Sequence, residues 1–122
     1  MLIALLLVGG AIGAPARYLV DGAVQGRVGG TFPWGTFVVN VTGSLVLGVL
    51  TGLVLYHGLG DVPRAAVGTG FCGAYTTFST YSYETVRLLE AGELGPAAAH
   101  AFGSIAVGLL AAGIGLALTA AW

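Results

Sequence analysis

Tyr75-Thr76-Thr77-Phe78-Ser79-Thr80-Tyr81-Ser82-Tyr83-Glu84 is a run of hydroxyls broken by aromatic rings, set in an otherwise apolar chain. Polar side chains inside a bilayer are costly unless they face another helix or a wet pathway. Hydroxyls rotate to donate hydrogen bonds, and aromatic rings carry a positive edge. Phe78 and Tyr81 are three apart and share one helix face, so their edges could replace part of the water around a small anion. Asn40, with two amide donors, lies several residues into another apolar stretch. Neutral donors suit a conducted ion, which must be held firmly enough to come in and weakly enough to leave. Plainer readings stand beside these: an interhelical hydrogen bond for Asn40, and lipid or core packing for Phe78.

Enzyme chemistry has little support. His57 and His100 lie on different spans in no metal-ligand spacing, and Ser79 has no Gly-x-Ser-x-Gly context. Asp21 and Glu84 sit near span ends, where a solvated carboxylate is the simpler reading. No reaction is expected.

The elements that must position these residues are membrane helices. Of 122 residues, 57% are hydrophobic and 7% charged, against about 25% charged in a soluble domain. The 22 glycines suit helices that pack backbone to backbone in lipid. No Lys is present and the net charge is -1, so the basic footprint of a nucleic-acid binder is missing. Cys72 is alone, which excludes an intramolecular disulfide. Ala14-Pro15-Ala16 resembles a signal-peptidase site, but no Lys or Arg precedes it, so a retained first helix is expected.

A single membrane domain over 1–122 is expected, with helices at about 2–25, 32–56, 64–90 and 95–121. The third is the least hydrophobic. Gly68, Gly70 and Gly73 precede two β-branched threonines, which predicts a break near 73–76. Freed carbonyls there would need burial or a cavity, and would make a hard-cation site. Small residues four apart, at Gly9/Gly13, Ser44/Gly48/Gly52 and Ser104/Gly108/Ala112, predict close packing within the chain or between subunits. Arg64 falls on one membrane side, Arg27 and Arg87 on the other, with Arg17 near the latter. So small a bias permits insertion both ways up, hence an antiparallel dimer.

Three segments then carry a resemblance. Gly9 to Tyr18 (GGAIGAPARY), Gly35 to Ser44 (GTFVVNVTGS) and Gly70 to Glu84 (GFCGAYTTFSTYSYE) resemble, in order, the first-, second- and third-helix motifs of the Fluc/CrcB fluoride channel family. The third is the most specific, and the fourth helix matches loosely. The resemblance implies an all-α, dual-topology homodimer in a bacterial or archaeal plasma membrane, with two fluoride pores at the interface of antiparallel subunits. It also implies a structural sodium ion on the dimer axis, held by backbone carbonyls that map to Gly73 and Thr76. The pore asparagine maps to Asn40, the paired pore aromatics to Phe78 and Tyr81, the hydroxyl track to Thr80 and Ser104, and the vestibule positions to Arg17 and Glu84. Three departures stand out: Tyr81 where Phe is usual, His100 where tyrosine is common, and Gly108 where a hydroxyl is sometimes found.

Two rival readings stand beside the channel. A proton-coupled small multidrug transporter shares four short helices but needs a first-helix carboxylate, and 1–16 contains none. A non-transporting assembly subunit leaves Asn40 and the hydroxyl run without a task.

Overall fold

The computed structural model describes residues 1–122 and contains helices and no strand. We number the helices α1 (Leu2–Val28), α2 (Trp34–His57), α3 (61–75), α4 (Phe78–Glu90) and α5 (Leu94–Ala121). Helices α1, α2 and α5 are long and apolar enough to cross a membrane. At about 1.5 Å per residue each exceeds the roughly 30 Å hydrocarbon layer. α4 has 13 residues and is amphipathic, so it is too short to span alone. Only 20 of the 122 residues are buried, and Ile3, Ile12, Leu109, Leu110 and Leu118 point outward. A water-excluding core therefore does not hold this chain together. In lipid the outward face costs nothing, and close helix contact carries the fold.

That contact is made by glycine. A Cβ on Gly48 would strike the backbone of Ala112, and one on Gly52 would strike the Thr119 side chain. From the other side, a Cβ on Gly115 would sit 2.6 Å from the Leu45 carbonyl oxygen and 2.7 Å from the Val49 nitrogen. The small-residue stripes of α2 and α5 thus face each other within one chain. His57 adds a tie at the far end, its Nε2 lying 2.8 Å from the Thr119 carbonyl oxygen.

α1 packs on α3 by the same device. A Cβ on Gly9 would meet the Ala66 carbonyl oxygen at 2.6 Å, and Gly13 abuts the Phe71 carbonyl. Between them, Ala65–Cys72 winds as a π-helix, with the Gly73 N–H donating to the Gly68 carbonyl. The glycines at 68–73 therefore widen the helix rather than end it. π turns are rare and concentrate at functional sites. Between 61 and 90 the backbone leaves helical geometry only at Thr76 (φ −79°, ψ 159°) and Thr77 (φ −148°, ψ 120°).

At the α1–α2 connection, Gln25 bonds backbone on both sides of the turn. Its Nε2 donates to the Phe32 carbonyl at 3.1 Å, and its Oε1 accepts from the Gly35 N–H at 3.1 Å. This satisfies one of the four orphan donors of α2 and fixes where Asn40 falls on the next two turns.

Candidate functional site

The site begins with the interruption at Thr76 and Thr77. Thr76 closes α3: its N–H and its Oγ1 both donate to the Cys72 carbonyl, at 2.9 and 2.8 Å. Thr77 opens α4 as its N-cap, where its Oγ1 accepts from the Thr80 N–H at 3.1 Å and donates to Thr80 Oγ1 at 3.1 Å. Two β-branched residues in extended conformation thus separate two helix ends.

Asn40 grips the gap from α2. Its Nδ2 donates to the Thr77 carbonyl at 3.1 Å, and its Oδ1 accepts from the Thr77 N–H at 3.0 Å. An extended residue exposes both backbone groups on one side, and a primary amide is the side chain that answers both at once. A buried backbone group without a partner costs about 1–3 kcal/mol, so this clasp keeps the interruption tolerable inside a membrane. The clasp takes one amide hydrogen and leaves the second free. Nothing in the sequence paired Asn40 with Thr77, which lie 37 residues apart; only an uncharged polar residue in each stretch hinted at it.

The clasp also changes the backbone carbonyls. In a continued helix the Thr77 N–H would bond the Gly73 carbonyl, but it goes to Asn40 instead. The Thr76 carbonyl accepts none of the chain's hydrogen bonds outside the helices. Gly73 is exposed, and a Cβ there would meet open space.

A cavity of about 280 Å³ lies against this interruption, lined by Asn40, Thr77, Phe78, Tyr81 and Ser104 among others. The Phe78 and Tyr81 rings stand 5.8 Å apart and 46° to one another, and Phe78 is 68% exposed on the single chain. Tyr81 does not offer its hydroxyl to this space, since that group donates to the Ala101 carbonyl of α5 at 2.6 Å. Ser104 is buried, with Oγ 3.5 Å from His100 Nδ1.

Thr80 and Arg17 lie elsewhere. Both border a second cavity of about 210 Å³, with Tyr18, Asp21, Thr36 and Thr77. Glu84 borders a third, of about 520 Å³, together with Asp21, Gln25, Arg87 and Glu93. Asp21 and Thr77 are the hinges of this arrangement: Asp21 borders the second and third cavities, and Thr77 the first and second. Of the residues singled out in the sequence, Asn40, Phe78, Tyr81 and Ser104 come together in one cavity. Thr80 faces its neighbour across the Thr77 backbone.

Residues 4–116 match the family model described as CrcB-like protein, Camphor Resistance (CrcB). The chain belongs to the CrcB family. Among curated CrcB relatives, a protein of Streptomyces avermitilis named fluoride-specific ion channel FluC 1 is 51% identical over 112 residues, covering 92% of this chain and 90% of the relative. One of the same name from Frankia casuarinae is 49% identical over 125 residues, covering 96% and 95%. The fluoride-specific ion channel FluC of Thermus thermophilus is 44% identical over 114 residues, covering 93% and 90%. The family match includes nearly all of α1, all of α2 to α4 and most of α5, so every residue placed in the three cavities lies within it.

Proposed function

We propose that this chain is a fluoride-specific channel, through which cytoplasmic fluoride leaves the cell passively. The observation that carries this reading is the meeting of Asn40, Phe78, Tyr81 and Ser104 in one cavity at the helix interruption, in a chain of this family. Each contributes neutral, weak stabilisation. Asn40 offers the amide hydrogen that the Thr77 clasp leaves free. Phe78 and Tyr81 offer ring edges, while the Tyr81 hydroxyl stays on Ala101 and holds its ring in place. Ser104 supplies a rotatable hydroxyl. Arg17, beside Thr80, biases the approach of anions toward the pathway.

The functional unit on this reading is an antiparallel dimer with two pores, embedded in lipid. α3 and α4 serve together as one interrupted span beside the three long helices. The exposure of Phe78 and Gly73 on the isolated chain supports a second copy closing the pore wall. The Gly73 and Thr76 carbonyls, deprived of helical partners, fit a hard monovalent cation such as sodium on the dimer axis, in keeping with carbonyl sites at other unwound membrane helices. When bound, sodium would supply positive charge that offsets these carbonyl dipoles. The residues of the chain do the rest: Thr76 and Cys72 end α3, and Asn40 holds Thr77 so that the carbonyls stay turned out of the helix.

Proteoliposomes loaded with potassium fluoride or potassium chloride test the reading with an ion-selective electrode. Fluoride is expected to leave and chloride to stay, whereas equal leakage of both would overturn selectivity. Phe78→Ile is expected to slow fluoride release sharply with the dimer intact on gel filtration. Unchanged flux would make Phe78 a packing residue.

A further inference from the structure

Glu84 and His100 have buried polar atoms that the pathway just described does not use. His100 is completely buried, and its Nε2 lies 4.0 Å from Glu84 Oε1. Neither atom has a hydrogen-bond partner, and these two are the only such buried side-chain atoms in the chain. Buried polar groups are nearly always satisfied, so two orphans aimed at each other call for an explanation. At 4.0 Å the gap is too long for a direct hydrogen bond and short enough for a side-chain rotation to close.

The surroundings isolate the pair on one side and wet it on the other. The Phe32 ring meets His100 edge-on at 5.6 Å, and Tyr81 lies 5.1 Å from it. His100 Nδ1 faces Ser104, which lines the cavity of Asn40 and Phe78. Glu84 is 27% exposed and borders the 520 Å³ cavity, so water reaches the carboxylate although Oε1 is sealed. The groups that face this carboxylate are Asp21 of α1, the neutral Thr36 hydroxyl of α2 and Arg87 of α4. Glu93, before α5, borders the same cavity. Glu84 is the one carboxylate that faces His100; its other neighbours are Phe32, Tyr81 and Ser104.

We propose that Glu84 and His100 share a single proton across this gap, and that the protonated pair is the form that lets the anion pass. The inference rests on the channel reading and adds a proton to it. Without the proton the pair carries one negative charge, screened by water from the Glu84 side and not from the buried His100 side that adjoins the anion path. With one proton, taken from water of the Glu84 cavity, the pair is neutral as a whole, and the Nε2–Oε1 contact closes into a hydrogen bond. A second proton makes the pair positive. Lower pH therefore moves the local charge in the direction that favours an anion.

Fluoride efflux from proteoliposomes, corrected for protein-free vesicles, is measured between about pH 5.5 and 8.5, the range in which imidazole titrates. Wild-type flux is expected to rise at least about fivefold as pH falls across this range, as for a single-site titration. H100Y and E84Q, which each remove one partner of the proton, are expected to flatten the profile to less than about twofold. Wild-type flux that is independent of pH, with fluoride still conducted, overturns the shared proton and leaves the channel reading standing. No fluoride flux at any pH overturns the channel reading. A readout free of transport separates the two: the infrared band of a protonated carboxyl should titrate in wild-type protein and be absent in E84Q. A band that titrates identically in H100Q overturns the sharing.

Discussion

The α2–α5 pair and the α3–α4 interruption are built from the same residue types, yet they treat polar groups in opposite ways. In α2 and α5 the backbone is regular, and hydroxyls fold back onto their own helix. Thr51 donates to the Leu47 carbonyl, Ser44 to that of Asn40, and Thr119 to those of Leu116 and Gly115. Across the interruption Thr76 still folds back onto Cys72, but other polar groups bond between elements: Asn40 with Thr77, Thr42 with Tyr75 at 2.9 Å, and Tyr81 with Ala101. The difference teaches that a hydroxyl in a membrane helix is consumed locally by default. A polar pathway needs a place where the ladder stops.

The comparison is broken most severely at the packed pair. Gly48→Val would drive side-chain atoms into the Ala112 backbone, which cannot yield without separating α2 from α5. A loss of about 3 kcal/mol is expected, at the upper end for overpacking, seen as a large drop in melting temperature in detergent. A melting temperature within error of wild type would show that this contact does not carry the fold.

Next in size is Asn40→Ala. It strips both backbone groups of Thr77 at once, and about 2 kcal/mol of stability should go with them. Hydrogen exchange is the sharper measurement, because the Thr77 amide should lose protection while α2 and α5 keep theirs. Equal loss throughout would mean that the interruption and the packed pair unfold as one unit.

The smallest effect is expected from Tyr81→Phe. It removes one bond, to Ala101, worth about 1 kcal/mol. Fluoride efflux should stay within about threefold of wild type, since the lost hydroxyl points away from the cavity; a factor of ten is worth about 1.4 kcal/mol. A tenfold or larger fall would place that hydroxyl on the anion.

Much of this was legible in the residue order. The apolar lengths of 2–25, 32–56 and 95–121 define helices because a bilayer demands internal hydrogen bonding over about 20 residues. The spacing of Gly48 and Gly52, and of Gly9 and Gly13, marks faces for close approach, since helix periodicity alone aligns residues four apart. Composition, the hydroxyl run and the three motifs pointed to the family, and the match over residues 4–116 shows it.

Tertiary structure decided what periodicity cannot encode. Whether Gly48 meets another helix of the same chain or a partner depends on which face α5 turns inward, and that is settled by the fit of Gly115 against Leu45 and Val49. Whether glycines at 68–73 break a helix or widen it depends on the backbone of α1 packed beside them. The clasp of Asn40 on Thr77, the diversion of the Tyr81 hydroxyl to Ala101 and the facing of Glu84 and His100 join residues 37, 20 and 16 apart. Such pairings follow from the angles at which helices cross. Residue types and local spacing set which atoms have bonds to make, and only the assembled helices determine which partners lie within 3 Å.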